Sequence, residues 1–387
     1  MKESHPMMRR LRREMRCREK VIVRMLGRFV RCESPSHNKA AVDRFGRMVA
    51  SEWRRRGAKV RIPRQTKRGN HVCAELWLGA GRPAGQILVL GHLDTVYPLG
   101  TLAKMPFRVK AGRAYGPGTF DMKAGLALAL AAVDGLQAAG LRPQKRLVFL
   151  WSSDEEIGSG TSRHAIEREA RRSDAVLVLE PSAGADGRLK TARKGLGSAE
   201  VIVTGRAAHA GLDPGAGVNA VHELALQIVR LKQLNDARRG ISLQATVIEG
   251  GTVSNVVPAH ARAEVDIRYT HLADAPKLNR KLRALRPILP GARVEVRGGI
   301  NRPPLERTPA VVALFHRAQS LMREMGLPLG EAWVGGGSDG NFTAALGVPT
   351  LDGLGAIGNG AHSLVEHVVV RSLPERAALL AGLLATL

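Results

Sequence analysis

Three short apolar runs stand out along the first half of the chain: QILVL (Gln86–Leu90), RLVFLW (Arg146–Trp151) and AVLVL (Ala175–Leu179). Each is continuous rather than alternating, the pattern of a strand buried on both faces. Between them lie an Ala/Leu-rich stretch, Asp121–Gly140, and a charged one, Ser162–Arg171, both of helical character. Buried strands alternating with helices predict an α/β fold around a mixed, mostly parallel sheet. Ahead of this block, residues 18–57 read as helix in two pieces. In the second piece Ala40, Ala41, Phe45, Met48, Val49 and Trp53 recur at helical spacing, with Ser36 or Asn38 as a cap and Gly57 as a stop. A strand carrying Val60 and Ile62 follows.

The pattern changes from about Gly195 to Gly298. GSAEVIVTG, SLQATVIEGG, HARAEVDIRY and ARVEVRG alternate apolar with polar residues, and helices are expected at Asn219–Leu234 and Ala273–Leu285. This predicts an α+β unit of antiparallel strands with two helices, inserted into the first domain. The first domain resumes with a helix at Pro309–Met325, a GGGSDG loop and a final helix. The expected division is a catalytic domain of residues 1–193 and 300–387, interrupted by residues 194–299.

Composition narrows this picture. A chain of 387 residues is long for one core, which agrees with two domains. With 44% apolar and 24% charged residues it is a folded rather than a disordered sequence. No run of about 18 apolar residues lacks a charge, so no membrane span is expected. Cys17, Cys32 and Cys73 form no CxxC pair, and the basic N-terminus lacks the apolar core of a secretory signal. Both point to the cytoplasm. The net charge of +25 is concentrated: residues 1–68 hold 22 Lys/Arg against 6 Asp/Glu. Such a patch could bind nucleic acid or attract anionic substrates, but only Phe29, Phe45 and Trp53 interleave it. A solvated, arginine-rich helical face is the preferred reading.

Polar residues cluster just after the predicted strands, where ligands bind in open α/β sheets. His92 and Asp94 follow the first run, in GHLD, and the acid could accept the second N–H of a ligating imidazole. Asp121 opens a helix in GPGTFDMKAG and could equally be a cap. Asp154-Glu155-Glu156 follow the second run, and adjacent acids at a buried strand end need a positive partner. Glu180 follows the third run in LVLEP. His362 lies in a late glycine-rich loop, GNGAHSLVEHV, with His367 as its rival. Each residue alone has an ordinary structural explanation. Together, two histidines and three carboxylates without a thiolate suit two zinc ions, with cobalt or manganese as alternatives. Such a pair can activate water and polarise a carbonyl.

In order and spacing, the segments GHLDTVYPLGTLAKMPFRV, AYGPGTFDMKAG, SSDEEIGSGTSR, VLEPSAG, GRAAHAGLDPGAGVNA, VSNVVPAHARAEVDIRY, GGGSDG and AHSLVEHV resemble the zinc aminoacylase/carboxypeptidase superfamily of metallopeptidases. Within it, they resemble the glutamate carboxypeptidase (carboxypeptidase G-like) branch. The resemblance runs from about residue 20 to the end. It implies that His92 and Glu180 bind one metal, Glu156 and His362 the other, and that Asp121 bridges them. It implies a cis peptide after Asp121, Glu155 as the general base acting on a water between the metals, and Asp94 as a support for His92. His209 would reach the partner subunit's site and stabilise an oxyanion. Asn255 and Arg268 would bind substrate, and the Gly335–Ser338 loop, with Gly337 and Ser338, would seat the substrate carboxylate. The inserted domain would be a dimerisation or lid domain of a homodimer. The substrate would be a small peptide or N-acyl amino acid with a free carboxylate, C-terminal glutamate favoured. A deacylase of the acetylornithine, succinyl-diaminopimelate or aminoacylase type is the alternative. A non-catalytic nucleic-acid-binding protein is the distant one. The basic N-terminal segment lies outside the family's pattern.

Overall fold

In a computed structural model describing residues 4–387, the three apolar runs become adjacent parallel strands. Gln86–His92 lies at the centre, with Arg146–Ser152 on one side and Ala175–Val178 on the other. Val89 pairs with Phe149 and with Leu177. Thr350–Leu351 extends the sheet in parallel beyond Ala175–Val178, while Val72–Leu76 and Lys59–Arg61 close the other edge in antiparallel fashion. The runs are continuously apolar because both faces are covered. Ile87, Val89, Leu147, Phe149, Trp151 and Leu177 join one cluster with Phe45, Val49 and Trp53 of the helix Lys39–Arg55. The alternate residues Leu88, Leu90, Val148, Leu150, Val176 and Val178 pack with Ile166 and Phe342 on the other face. Trp53 stacks on Phe149 with ring centroids 4.0 Å apart.

These elements belong to the larger of two compact units, Met1–Ala192, Arg307–Val334 and Ser338–Leu387. Its helix Ala124–Ala138 is buried nearly all round, as its composition of Ala, Leu and Gly requires. Gly125 allows the close approach: a Cβ there would lie 2.4 Å from the Leu179 carbonyl oxygen. The two expected N-terminal helices are Glu19–Val30 and Lys39–Arg55. Asn38 caps the second by accepting the Ala41 N–H at 3.0 Å. A further helix, Ser4–Cys17, precedes them. It buries Met8, Leu11 and Met15, and Met8 seats against Gly382 of the C-terminal helix Leu373–Thr386.

The second unit, Arg193–Glu306 with Gly335–Gly337, is a four-stranded antiparallel sheet. Its order is Ser242–Gly250, His260–Tyr269, Gly195–Thr204, Arg293–Arg302. The last strand continues past Gly298 and Gly299, whose φ angles of +82° and +137° interrupt the sequence alternation. Helices Ala220–Lys232 and Ala275–Arg283 supply Leu224, Leu278 and Leu282 to a core with Val201, Val203 and Ile267.

Candidate metal centre

The strand Gln86–His92 delivers His92, only 1% exposed, to the carboxyl end of the sheet. Its Nδ1 lies 2.9 Å from the main-chain oxygen of Asp94. A carbonyl only accepts, so Nδ1 carries the hydrogen and Nε2 keeps its lone pair. Nε2 faces Asp121 Oδ1 at 3.1 Å and Glu180 Oε1 at 3.6 Å. The Asp94 carboxylate lies 3.6 Å from the same Nδ1 through Oδ1. It accepts from Ser36 Oγ at 2.8 Å and from the backbone N–H groups of Glu155 and Glu156, both at 3.2 Å. It thereby fixes the single 3₁₀ turn Glu155–Ile157 that carries both acids.

Asp121 caps no helix. It sits in the turn Thr119–Lys123 with φ −114° and ψ 96°, and the Asp121–Met122 peptide is cis. The turn is held from beneath by Glu366, a fully buried carboxylate. Glu366 accepts N–H groups from Gly118 at 2.9 Å, Phe120 at 2.7 Å and Asp121 at 2.9 Å. Glu180 leaves the strand Ala175–Val178, and its carbonyl accepts the Gly355 N–H at 2.9 Å. Arg376, fully buried and without an acidic partner among the described residues, donates to the carbonyls of Gly187, Gly353 and Gly355 and locks that loop. His362 has a φ of +61°, which no β-substituted residue adopts freely. Its Nε2 lies 3.2 Å from Glu156 Oε2 and 3.5 Å from Asp121 Oδ2.

Two overlapping groups result: His92, Asp121 and Glu180, and Asp121, Glu156 and His362. Within each, the ligand atoms lie within 4.8 Å of one another. Asp121 belongs to both, one oxygen toward each histidine. The donor set fits two divalent cations, and Glu156 Oε1, buried with no hydrogen-bond partner among the described residues, is the orphan an ion would satisfy. The electrostatics agree. Burial lifts the Glu156 carboxyl to about 7 against the pull of His362. Burial disfavours a charged His92, yet its bond to Asp121 and the nearby Glu180 and Asp94 raise it well above the ordinary histidine value. Bonds to Asp121 and Glu156 lift His362 to about 10. Burial opposes charge on Asp121, but bonds from His362 and His92 hold it below the usual carboxylate range. Such coupled acids and imidazoles are what a metal pair would replace.

The remaining sequence-derived candidates are distributed differently. Ser338 belongs to the larger unit, is fully buried and donates to Asp352 Oδ2 at 2.5 Å, so its hydroxyl is committed internally. His209, Asn255, Arg268 and Gly337 belong to the second unit. His209 is exposed, and its Nδ1 accepts N–H groups from Gly211 at 3.1 Å and Leu212 at 3.0 Å, so its Nε2 carries the hydrogen. The exposed Asn255 adjoins it, its carbonyl accepting the Ala210 N–H at 2.8 Å. Arg268 grips Asp266 through Nε and Nη2, each at 2.8 Å, and donates from Nη1 to the Gly335 carbonyl at 3.1 Å. The Gly337 carbonyl accepts from Arg193 Nη1 at 3.0 Å. Glu366 and Arg376 were not found from sequence. The one signal for Glu366 is an acid set in the apolar run SLVEHVVV.

The model for peptidase family M20/M25/M40 matches residues 88–386. Carboxypeptidase G2 of Pseudomonas sp. (strain RS-16) is 33% identical over 369 residues, covering 94% of this chain and 88% of its own. A succinyl-diaminopimelate desuccinylase of Stenotrophomonas maltophilia (strain R551-3) is 30% identical over 317 residues, covering 77% of this chain and 83% of its own. Among solved structures, the aminopeptidase PepT of Bacillus cereus shares the fold with a TM-score of 0.76 at 22% identity, covering 95% of this chain and 98% of that one. The chain belongs to peptidase family M20/M25/M40, as a hydrolase of peptide or N-acyl amino acid bonds.

Proposed function

We propose that this hydrolase binds two zinc ions and cleaves the amide bond to a C-terminal amino acid, with glutamate favoured. The observation that carries the reading is the sharing of Asp121 between two ligand groups, with Glu155 beside Glu156 in one turn fixed by Asp94. His92 and Glu180 would hold one ion, Glu156 and His362 the other, and Asp121 both. The bound ions would polarise the scissile carbonyl and make water more acidic. Glu155 is left outside the ligand set, as a general base must be. It takes the proton of the attacking water and returns it to the leaving amine.

The second unit, taken as residues 194–299, is proposed as the dimerisation or lid domain of a homodimer. There His209 Nε2–H would stabilise the developing oxyanion. Asn255 and the N–H groups of Arg268 not engaged by Asp266 and Gly335 would bind the substrate carboxylate, with Gly337 and Ser338 shaping the loop. Beside Glu156, a cavity lined by Pro35, His37, Val96, Pro98, Leu99 and Ile157 offers a largely apolar seat for the acyl group. The free cysteines, two of them buried, support a cytoplasmic location. No described helix is long and apolar enough to cross a membrane.

The relation to carboxypeptidase G2 supports glutamate, and the relation to desuccinylases supports an N-acyl diamino acid as the second reading. A panel of N-acyl amino acids and dipeptides on zinc-loaded protein separates them. The proposal expects the highest kcat/KM for C-terminal glutamate. A clear preference for succinyl-diaminopimelate or for a non-acidic C-terminal residue would overturn it.

A further inference from the structure

Away from the metal centre, the helix Ser4–Cys17 faces the C-terminal end of the helix Pro309–Glu324 across a cavity. Its lining includes Arg9, Arg12, Arg13, Arg16, Arg323 and Glu324. We infer that this cleft binds a compact, phosphate-bearing polyanion.

The sequence places the cations together. At 100° per residue, Arg9, Arg12, Arg13 and Arg16 fall within an arc of roughly 100°, next to the arc of Met8, Leu11 and Met15 that anchors the helix in the core. Like charges at i,i+4, here Arg9 with Arg13 and Arg12 with Arg16, disfavour a helix unless something offsets them. Acids do so only in part. Arg12 and Arg16 share Glu375, at 3.6 Å and 3.1 Å. Arg9, Arg13 and Arg323 have no acidic partner among the described residues. Glu14 turns to Arg18 at 2.8 Å. Glu324 is the one acid in the lining and forms no ion pair among the described residues.

An arginine-rich helical face is ordinarily just solvated. Two features set this one apart. It is concave, and Arg12 is pinned in it through Nη1 to the Met325 carbonyl at 2.7 Å, while its buried Nε–H has no acceptor among the described residues. Guanidinium forks converging on a cavity match phosphate oxygens. No aromatic ring lines the cleft, so it offers no platform for stacking a base.

The test is calorimetric titration of the zinc-loaded full chain with trimetaphosphate, a compact trianion that holds divalent ions weakly, at fixed ionic strength. The variant R9A/R13A/R323A changes only exposed, unpaired side chains, and unchanged circular dichroism and zinc content verify its fold. The expected result is one equivalent bound by the parent protein and binding at least about tenfold weaker in the variant. Three results would overturn the proposal: no heat beyond that of chloride, equal affinity in the variant, or binding of single-stranded DNA with none of trimetaphosphate.

Discussion

Replacing Glu366 by alanine removes the one acceptor that three backbone N–H groups of the Asp121 turn share. Gly118, Phe120 and Asp121 donate to it at 2.9, 2.7 and 2.9 Å, and the carboxylate is fully buried. Each orphaned buried donor costs about 1–3 kcal/mol. Part of that is offset because burial already disfavours this carboxylate and raises its pKa. The net expectation for Glu366→Ala is about 3 kcal/mol of lost stability. Glu366→Gln keeps one carbonyl-type oxygen for Phe120 and Asp121 but sets an NH₂ against the Gly118 N–H, so about 1 kcal/mol is expected. Because Asp121 serves both ligand groups, zinc affinity should fall at both positions by about 10–100-fold in the alanine variant. Urea unfolding of chelator-treated protein gives the first quantity and competition with a zinc chelator the second. An alanine variant within about 0.5 kcal/mol of the parent, with unchanged zinc affinity, would refute the assignment of Glu366 as the support of the Asp121 turn.

Three further outcomes are expected. Glu155→Gln should retain both metal equivalents yet lose about 10²–10⁴-fold in kcat; near-normal turnover would remove Glu155 from the proton-transfer role. Asp94→Ala frees the N–H groups of Glu155 and Glu156 while leaving the Asp94 carbonyl to His92, so kcat should drop more than zinc affinity, as steady-state kinetics and metal titration would show. With no ion bound, the bonds to Asp121 and Glu156 lift His362 to about 10, so its imidazole carries a proton near pH 8. Zinc needs that ring neutral, and about one proton per chain should be released from His362 on loading, measurable by calorimetry in buffers of different ionisation heat. The same shift makes His362 stabilise the chelator-treated protein fully below about pH 6.5 and progressively less as the pH rises through about 10. Zinc uptake without proton release would contradict the charge on His362.

The sheet was legible because the cause of its pattern is simple. A strand covered on both faces must be apolar throughout, and QILVL, RLVFLW and AVLVL are. The metal-site candidates were legible for a related reason: Glu156 and Glu180 are acids at the ends of buried strands, where an acid is costly without a positive partner. Other features were hidden. The helix Ser4–Cys17 shows only Met8, Leu11 and Met15 among arginines, and its partner, Leu373–Thr386, lies at the opposite end of the sequence. Spacing also does not distinguish a carboxylate that meets an imidazole from one that caps a turn. Asp94 reads as a support for His92; its backbone oxygen lies nearer Nδ1 than its carboxylate does, at 2.9 Å against 3.6 Å, and the carboxylate also holds the Glu155–Ile157 turn. Glu366 and Arg376 act chiefly on backbone groups brought close by folding, Glu366 also meeting the Tyr97 side chain, and local sequence carries no trace of such partners.

The central claim is that one chain holds two metal ions on five side chains and that hydrolysis needs both. Its most direct measurement is turnover of an N-acyl-glutamate during stepwise zinc addition to chelator-treated protein, with bound metal determined by mass spectrometry. No turnover is expected without metal, and a maximum at two equivalents per chain. Full turnover without metal, or saturation of both binding and activity at one equivalent, would contradict it.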